Sequence, residues 1–287
     1  MRRGTVDIEI TAFYCVCDDL LKSLNYQDHS QCRMSAAEVM TAALTAAAFF
    51  GGDHEKSCNF FMEHQYIPRM LSKSRFSRRL AGIPEFVWRG LADWLAAAAD
   101  SPDSLKIYIA DSFPVPVCRN IRIKSCKIYN EECFRGYAAS QRKYFYGLKV
   151  HALMRESGVP AEIVLSHGSC SYISAFHGFR LQIPRGSVIF ADKAYNDYSL
   201  EDSLMERGVH LMPLRKKNSK RKHGVFVENG IKFVRKRIES AFSVIKRRFP
   251  AHIHAVTHQG FELKVFLFVL SYGIEKAIFL GSNLGYF

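Results

Sequence analysis

The sequence predicts an α/β fold, a mixed sheet flanked by helices and preceded by an all-α segment. Up to about residue 103, apolar side chains recur at three- and four-residue steps, the helical period. From residue 105, short runs of β-branched and aromatic residues appear, broken by Gly, Pro and Ser turns. These later segments read strand, two strands, helix, strand, helix, strand, helix, helix, the order of a sheet covered on both faces. Charge divides at the same place. Residues 1–104 carry 11 Lys/Arg against 13 Asp/Glu, and residues 105–287 carry 29 against 14.

In the helical part, Thr5 to Leu24 shows broken amphipathic periodicity. Ser35-Ala-Ala-Glu38 is a capping box that opens an alanine-rich helix ending at Gly51-Gly52. His54-Glu55 begins another segment, and Cys58 stands where a His-Glu-x-x-His zinc helix needs its second histidine. Leu71 to Leu80 is a short basic helix with Ser72 or Ser74 as its cap. Its Arg75, Arg78 and Arg79 are candidate DNA contacts, and a solvated helix between two packed ones is the alternative. Pro84 opens a helix whose Trp88 and Trp94 are expected in the core. Asp100-Ser-Pro-Asp103 then closes a first domain, residues 1–103, that serves either DNA-end binding or an accessory role.

Residues 104–287 form the second domain. Leu105 to Ala110 reads as a strand, ended by Asp111-Ser-Phe-Pro-Val-Pro116 because proline cannot continue a ladder. Tyr144–Leu153 and Ala161–Leu165 form a hairpin turning at Ser157-Gly158. Tyr144, Phe145 and Tyr146 are read as core aromatics, with base stacking as the alternative. Ser171–Leu181 is helical, Ser187–Ala191 a strand that delivers Asp192, Tyr198–Arg207 a helix, and His210–Leu214 a strand. Arg215–His223 is a basic, mobile loop, and a terminal helix runs from about Gly260 to Leu280.

Between that loop and that helix lies Lys232–Phe249, a helix with an apolar stripe of Val234, Ile238, Ala241, Phe242 and Ile245. Arg235, Glu239, Ser243 and Lys246 line up on another face. Glu239 is the only acid between Glu228 and Glu262, and from Arg215 to Arg248 there are 13 Lys/Arg against 2 Asp/Glu. Within a net charge of +13, this clustering points to nucleic acid before a small metabolite. Glu239 then reads either as half of a surface ion pair with Arg235 or as a metal ligand inside a phosphate-binding surface.

No apolar run reaches membrane-spanning length, since Val265–Leu270 is short and bounded by charges. Asp7 and Glu9 interrupt the region a signal peptide needs apolar. A cytoplasmic protein without a membrane partner is expected. Its eight cysteines contain no Cys-x-x-Cys pair and are expected as buried thiols.

Asp111 and Asp192 each end a short apolar strand, the edge at which open α/β sheets place their sites. Carboxylates converging there repel one another unless a cation lies between them, and hard oxygen donors suit Mg²⁺ or Mn²⁺.

Asp111-Ser-Phe-Pro-Val-Pro-Val-Cys118, Phe190-Ala-Asp-Lys-Ala-Tyr195 and Arg237-Ile-Glu-Ser-Ala-Phe242 together resemble the DDE transposases of bacterial insertion sequences. The resemblance is nearest to the family designated IS nine-eight-two. It implies an RNase H-like fold for the sheet domain, with Asp111, Asp192 and Glu239 as catalytic ligands of two Mg²⁺ or Mn²⁺ ions. It also implies double-stranded DNA as partner, both element ends and target, held by a homodimer or larger synaptic assembly in the bacterial cytoplasm at the nucleoid. A related signature places an Arg four before the Glu and a Lys seven after, here Arg235 and Lys246. Its Tyr three before the Arg is replaced by Lys232. The cations expected on DNA are Lys193, Arg215, Lys216, Lys217, Lys232, Arg235 and Lys246, besides those near residue 75. A nuclease that cleaves without joining, and a non-catalytic DNA-binding descendant, are the alternatives.

Overall fold

In the computed structural model, which describes residues 3–98 and 106–283, the capping box opens its helix as expected. The Glu38 amide donates to Ser35 Oγ at 3.1 Å, and the Ser35 amide donates to Glu38 Oε2 at 2.7 Å. The first helices are α1 (Arg3–Ser23), α2 (Ala36–Phe49), α3 (His54–Glu63), α4 (Lys73–Ala81) and α5 (Glu85–Ala98). The Asp53 side chain caps α3 by accepting from the amides of Glu55 and Lys56. Trp88 is buried, and Trp94 only half-buried. The expected linker Asp100–Asp103 lies outside the described residues.

The strands that follow are β1 (Ile107–Cys118), β2 (Arg135–Ala138), β3 (Lys143–Arg155), β4 (Pro160–His167), β5 (Val188–Ala191) and β6 (His210–Pro213). Their order is β2-β3-β1-β5-β6, with β4 also paired to β3. β1, β5 and β6 are mutually parallel, and β3 runs antiparallel to β1, β2 and β4. The helices among and after them are α6 (Tyr172–Phe176), α7 (Tyr198–Glu206), α8 (Val225–Arg248) and α9 (His258–Asn283).

The prolines do not end the first strand. β1 continues through Pro114, opposite Lys149, and Pro116, opposite Gly147. β5 pairs with β1 only as far as Ala110, so beyond that point β1 has a partner on one side alone. Pro114 and Pro116 share parity, and their missing N–H groups fall on the open side, where an edge tolerates them. Gly147 is required by the close pairing there. With φ +153° it takes a backbone that side chains avoid, and a Cβ on it would stand 2.3 Å from the Val115 carbonyl oxygen.

Other expectations shift. The helix expected over 171–181 is a single turn and a half, after which Phe179 and Leu181 still reach the core beneath the sheet. β2 was not anticipated. Phe145 and Tyr146 are buried, but Tyr144 is 60% exposed and lies against Tyr137 with centroids 5.0 Å apart. Among the cysteines only Cys17 and Cys58 are buried, and Cys15 and Cys133 are exposed, so the expectation of buried thiols holds for two of them.

The chain falls into two compact units, Met1–Ala98 with Ile245–Phe287, and Ala99–Val244. A single second domain over 104–287 is therefore not what the packing gives. The reason is the composition of α9: Val265 and Leu267–Leu270 are buried, and the helix packs against α2 and α5. Among the described residues no helix is long and apolar enough to cross a membrane.

Candidate active site

Parallel pairing brings the two aspartates together. Ala110 of β1 is opposite Ala191 of β5, and each is followed directly by an acid, Asp111 and Asp192. The side chain that meets them comes from α8. Ile231 and Ile238 of that helix are buried, and Phe242 packs on Phe113 of β1 with centroids 4.8 Å apart in an edge contact. Arg237 of α8 also bonds Glu156 at 2.5 Å. With the helix pinned this way, Arg235, two turns before Phe242, reaches the two acids. Its Nη2 donates to Asp111 Oδ2 at 3.1 Å and its Nη1 to Asp192 Oδ1 at 3.3 Å.

Arg235, expected on DNA phosphate, thus bridges the two acids. Glu239 does not join them. It lies one turn further along α8, exposed, its side chain making no hydrogen bond or ion pair among the described residues. Burial pushes the Asp111 carboxyl above its ordinary range and neighbouring Asp192 adds to that, while Arg235 and the Ser112 amide, at 2.8 Å, pull the other way. Two tyrosines that sequence reasoning missed close the inner side. The Tyr172 hydroxyl lies at Ser112, and burial raises both it and Tyr195, whose hydroxyl has no partner among the described residues. Tyr195 stood in view as the last residue of Ala-Asp-Lys-Ala-Tyr195. Tyr172 carried no signal.

The pair suits a hard divalent cation in its chemistry. Its donors are carboxylate oxygens, and both already converge on one cationic group, the Arg235 guanidinium. No group of three or more His, Cys, Asp or Glu able to hold a metal occurs among the described residues.

Beside the acids opens a basic cleft of ≈ 360 Å³. Its lining includes Lys193, Arg215, Lys216, Lys217 and Lys232, five of the cations expected from the sequence, together with Lys222 and one acid, Glu228. Lys193 directly follows Asp192, and Lys232 stands one turn before Arg235, so the cleft and the acids adjoin. Its basic loop, expected to be mobile, is tied to α7 and β6 by side-chain contacts. Arg215 grips Glu201 of α7 at 2.5 and 2.9 Å, and Arg221 grips Asp202 at 2.6 and 2.9 Å. The Tyr198 hydroxyl meets Ser219 Oγ at 2.8 Å, and His223 Nε2 reaches the Pro213 carbonyl at 3.1 Å. Arg215 is therefore committed inside the protein rather than offered to DNA. Lys193, Lys216, Lys217, Lys222 and Lys232 are left without ion-pair partners among the described residues.

Free lysines lining one cleft should act through charge. Replacing Lys216, Lys217 and Lys232 together by Ala should lower duplex affinity regardless of sequence. It should also flatten the slope of log K against log salt by roughly 2–3, about 0.9 per phosphate lost. A titration series between 50 and 200 mM salt checks this.

The remaining expected cations lie elsewhere. Lys246 is on the turn of α8 that belongs to the first unit. On α4, Arg75 and Arg78 are exposed, but Arg79 is 17% exposed and paired with Asp28, which removes it as a free DNA contact.

A family model described as a transposase DDE domain matches residues 102–259. Among solved structures, the chain is similar to piggyBac transposase in its synaptic complex with hairpin DNA. That likeness has a TM-score of 0.50 at 9% identity and covers 98% of this chain and 76% of that one, so it speaks to the fold alone. A search of curated proteins finds no match.

Proposed function

Since the chain belongs to the transposase DDE domain family, we propose that it binds the inverted ends of an insertion sequence and catalyses metal-dependent strand cleavage and strand transfer. One observation carries the reading. Two aspartates that follow paired residues of adjacent parallel strands share one guanidinium, and the residue after Asp192, Lys193, lines a cleft with four other lysines that have no ion-pair partner among the described residues. The sheet order, with an antiparallel β3 beside three parallel strands, supports an RNase H-like reading of the domain. The motif likeness supports the IS nine-eight-two group.

Asp111 and Asp192 would hold the cation, and Glu239, one turn after Arg235 on α8, is the carboxylate proposed to complete the set. When bound, Mg²⁺ or Mn²⁺, two ions in the full reading, supplies Lewis-acid charge at phosphorus and a water of lowered pKa. The lysines neutralise and register the phosphates on either side of the scissile bond. Tyr172, Tyr195 and the core behind them keep bulk water from the inner side of the acids. Exposed Arg75 and Arg78 support end binding by the first unit. Two DNA ends joined at once fit a dimer or larger assembly, and a protein acting on DNA in this way belongs, in this reading, at the nucleoid in the cytoplasm.

The test is a labelled duplex carrying the element's end, incubated with Mg²⁺ and target DNA. The expected result is nicking at the end followed by joined product, with Glu239→Gln losing both and still binding DNA. Nicking without joining would leave a nuclease, and end binding without either reaction a non-catalytic DNA-binding protein. Full activity in the Glu239 variant would confine the metal set to the aspartates.

A further inference from the structure

Two arginines in this unit meet carboxylates in the interior, and they do so differently. Arg215 engages both oxygens of one acid, Glu201, at 2.5 and 2.9 Å, with the two side chains 7% and 8% exposed. That is the short, parallel fork of a structural pair. Arg235 splits its two terminal nitrogens between different acids at 3.1 and 3.3 Å, longer than the usual 2.7–2.9 Å for such charged bonds. One of those acids, Asp192, is 43% exposed. Nε is buried without a partner in both arginines, so the difference lies in the terminal nitrogens. Because a guanidinium cannot shed its charge, it must either stay on these carboxylates or leave for another anion. Lys232, one turn earlier, already lines the cleft, so a phosphate bound there lies on the same stretch of helix.

We propose that Arg235 is a displaceable counter-cation of the Asp111–Asp192 pair, competing with the divalent metal for the same carboxylate oxygens and released by DNA phosphate. The inference rests on the reading of those aspartates as metal ligands. It scales the metal affinity of the free protein down from the site's own by the fraction of molecules in which Arg235 is withdrawn. It also couples metal and DNA reciprocally, since each favours the state with Arg235 withdrawn.

The experiment is a calorimetric titration of the full chain with Mn²⁺, with and without a short duplex, for wild type, Arg235→Gln, Arg235→Lys and Asp111→Asn. The glutamine variant should bind Mn²⁺ about tenfold tighter than wild type, the gain expected if Arg235 holds its seat about nine-tenths of the time. The lysine variant, cationic but unable to span both acids, should fall between. Duplex should tighten Mn²⁺ binding to wild type and leave the glutamine variant unchanged. Equal or weaker Mn²⁺ binding by Arg235→Gln would overturn the proposal. Should that variant fail to fold, an Arg235→Lys protein identical to wild type would do the same. If Asp111→Asn binds Mn²⁺ as wild type does, the ligand reading itself fails and the inference falls with it. A wild type that binds through Asp111, beside an Arg235→Gln that gains nothing, sinks the inference alone.

Discussion

An Asp111→Asn protein should lose Mg²⁺-dependent cleavage by roughly 10³-fold or more, while holding its duplex affinity within about twofold. The carboxylate is the member of the pair most enclosed by protein, 17% exposed against 43% for Asp192, so water cannot substitute for it readily. Asparagine keeps the shape and an acceptor for the Ser112 amide, and removes only charge. The fold should survive, because burial raises the Asp111 carboxyl: the folded protein disfavours the ionised form there, and a neutral side chain relieves that cost. Arg235 keeps Asp192 as partner. Initial nicking rates at saturating Mg²⁺, beside gel-shift affinity, separate the two effects. A rate loss under about tenfold would remove Asp111 from the metal set.

The largest stability effect should come from Glu201→Gln. Glu201 is buried on α7, and it neutralises Arg215 while standing 3.6 Å from Arg221. Removing one member of a buried pair leaves the other charged in a poor solvent, a loss of about 3–5 kcal/mol. For a domain of this size that lowers Tm by roughly 6–20 °C. Because Arg215 begins the loop that carries Lys216, Lys217 and Lys222, proteolysis should find that loop first, which limited digestion reads directly. Replacing Arg215 and Glu201 together by Met and Leu should recover most of the stability, since the cost is the orphaned charge rather than the absent bond. If the single variant melts within a degree of wild type, the pair is not the anchor its geometry indicates.

Much of this was legible in the chain. The capping box at Ser35, the hairpin turn at Gly158 and the apolar strand stretches that lead into Asp111 and Asp192 all rest on local chemistry, which a sequence displays. What stayed hidden depends on neighbours distant in the chain. Pro114 and Pro116 read as a stop because a strand's open side is a property of the sheet, not of the strand. Arg235 and Glu239 occupy the same helical face, and spacing could not say which of them reaches the aspartates. That choice is made by Phe242 on Phe113 and by Arg237 on Glu156. The anchoring of the basic loop stayed hidden because its charges were countable and their partners on α7 were not. The carboxylates proposed to bind metal were thus unevenly legible: the two aspartates by pattern, and Glu239 as one of two open readings until the resemblance chose between them.

The interleaving of the units has a consequence for how the protein is made. α2 is buried along nearly its whole length, and part of its cover is α9, among the last segments to leave the ribosome. Chains are synthesised at roughly 5–20 residues per second, so α2 waits on the order of ten seconds or more with an apolar side unmet. A copy cut short before about residue 258 could still hold the aspartates and the lysine cleft, yet would never complete the unit made first. Truncated copies should therefore be cleared by quality control rather than persist as inhibitors that occupy DNA ends.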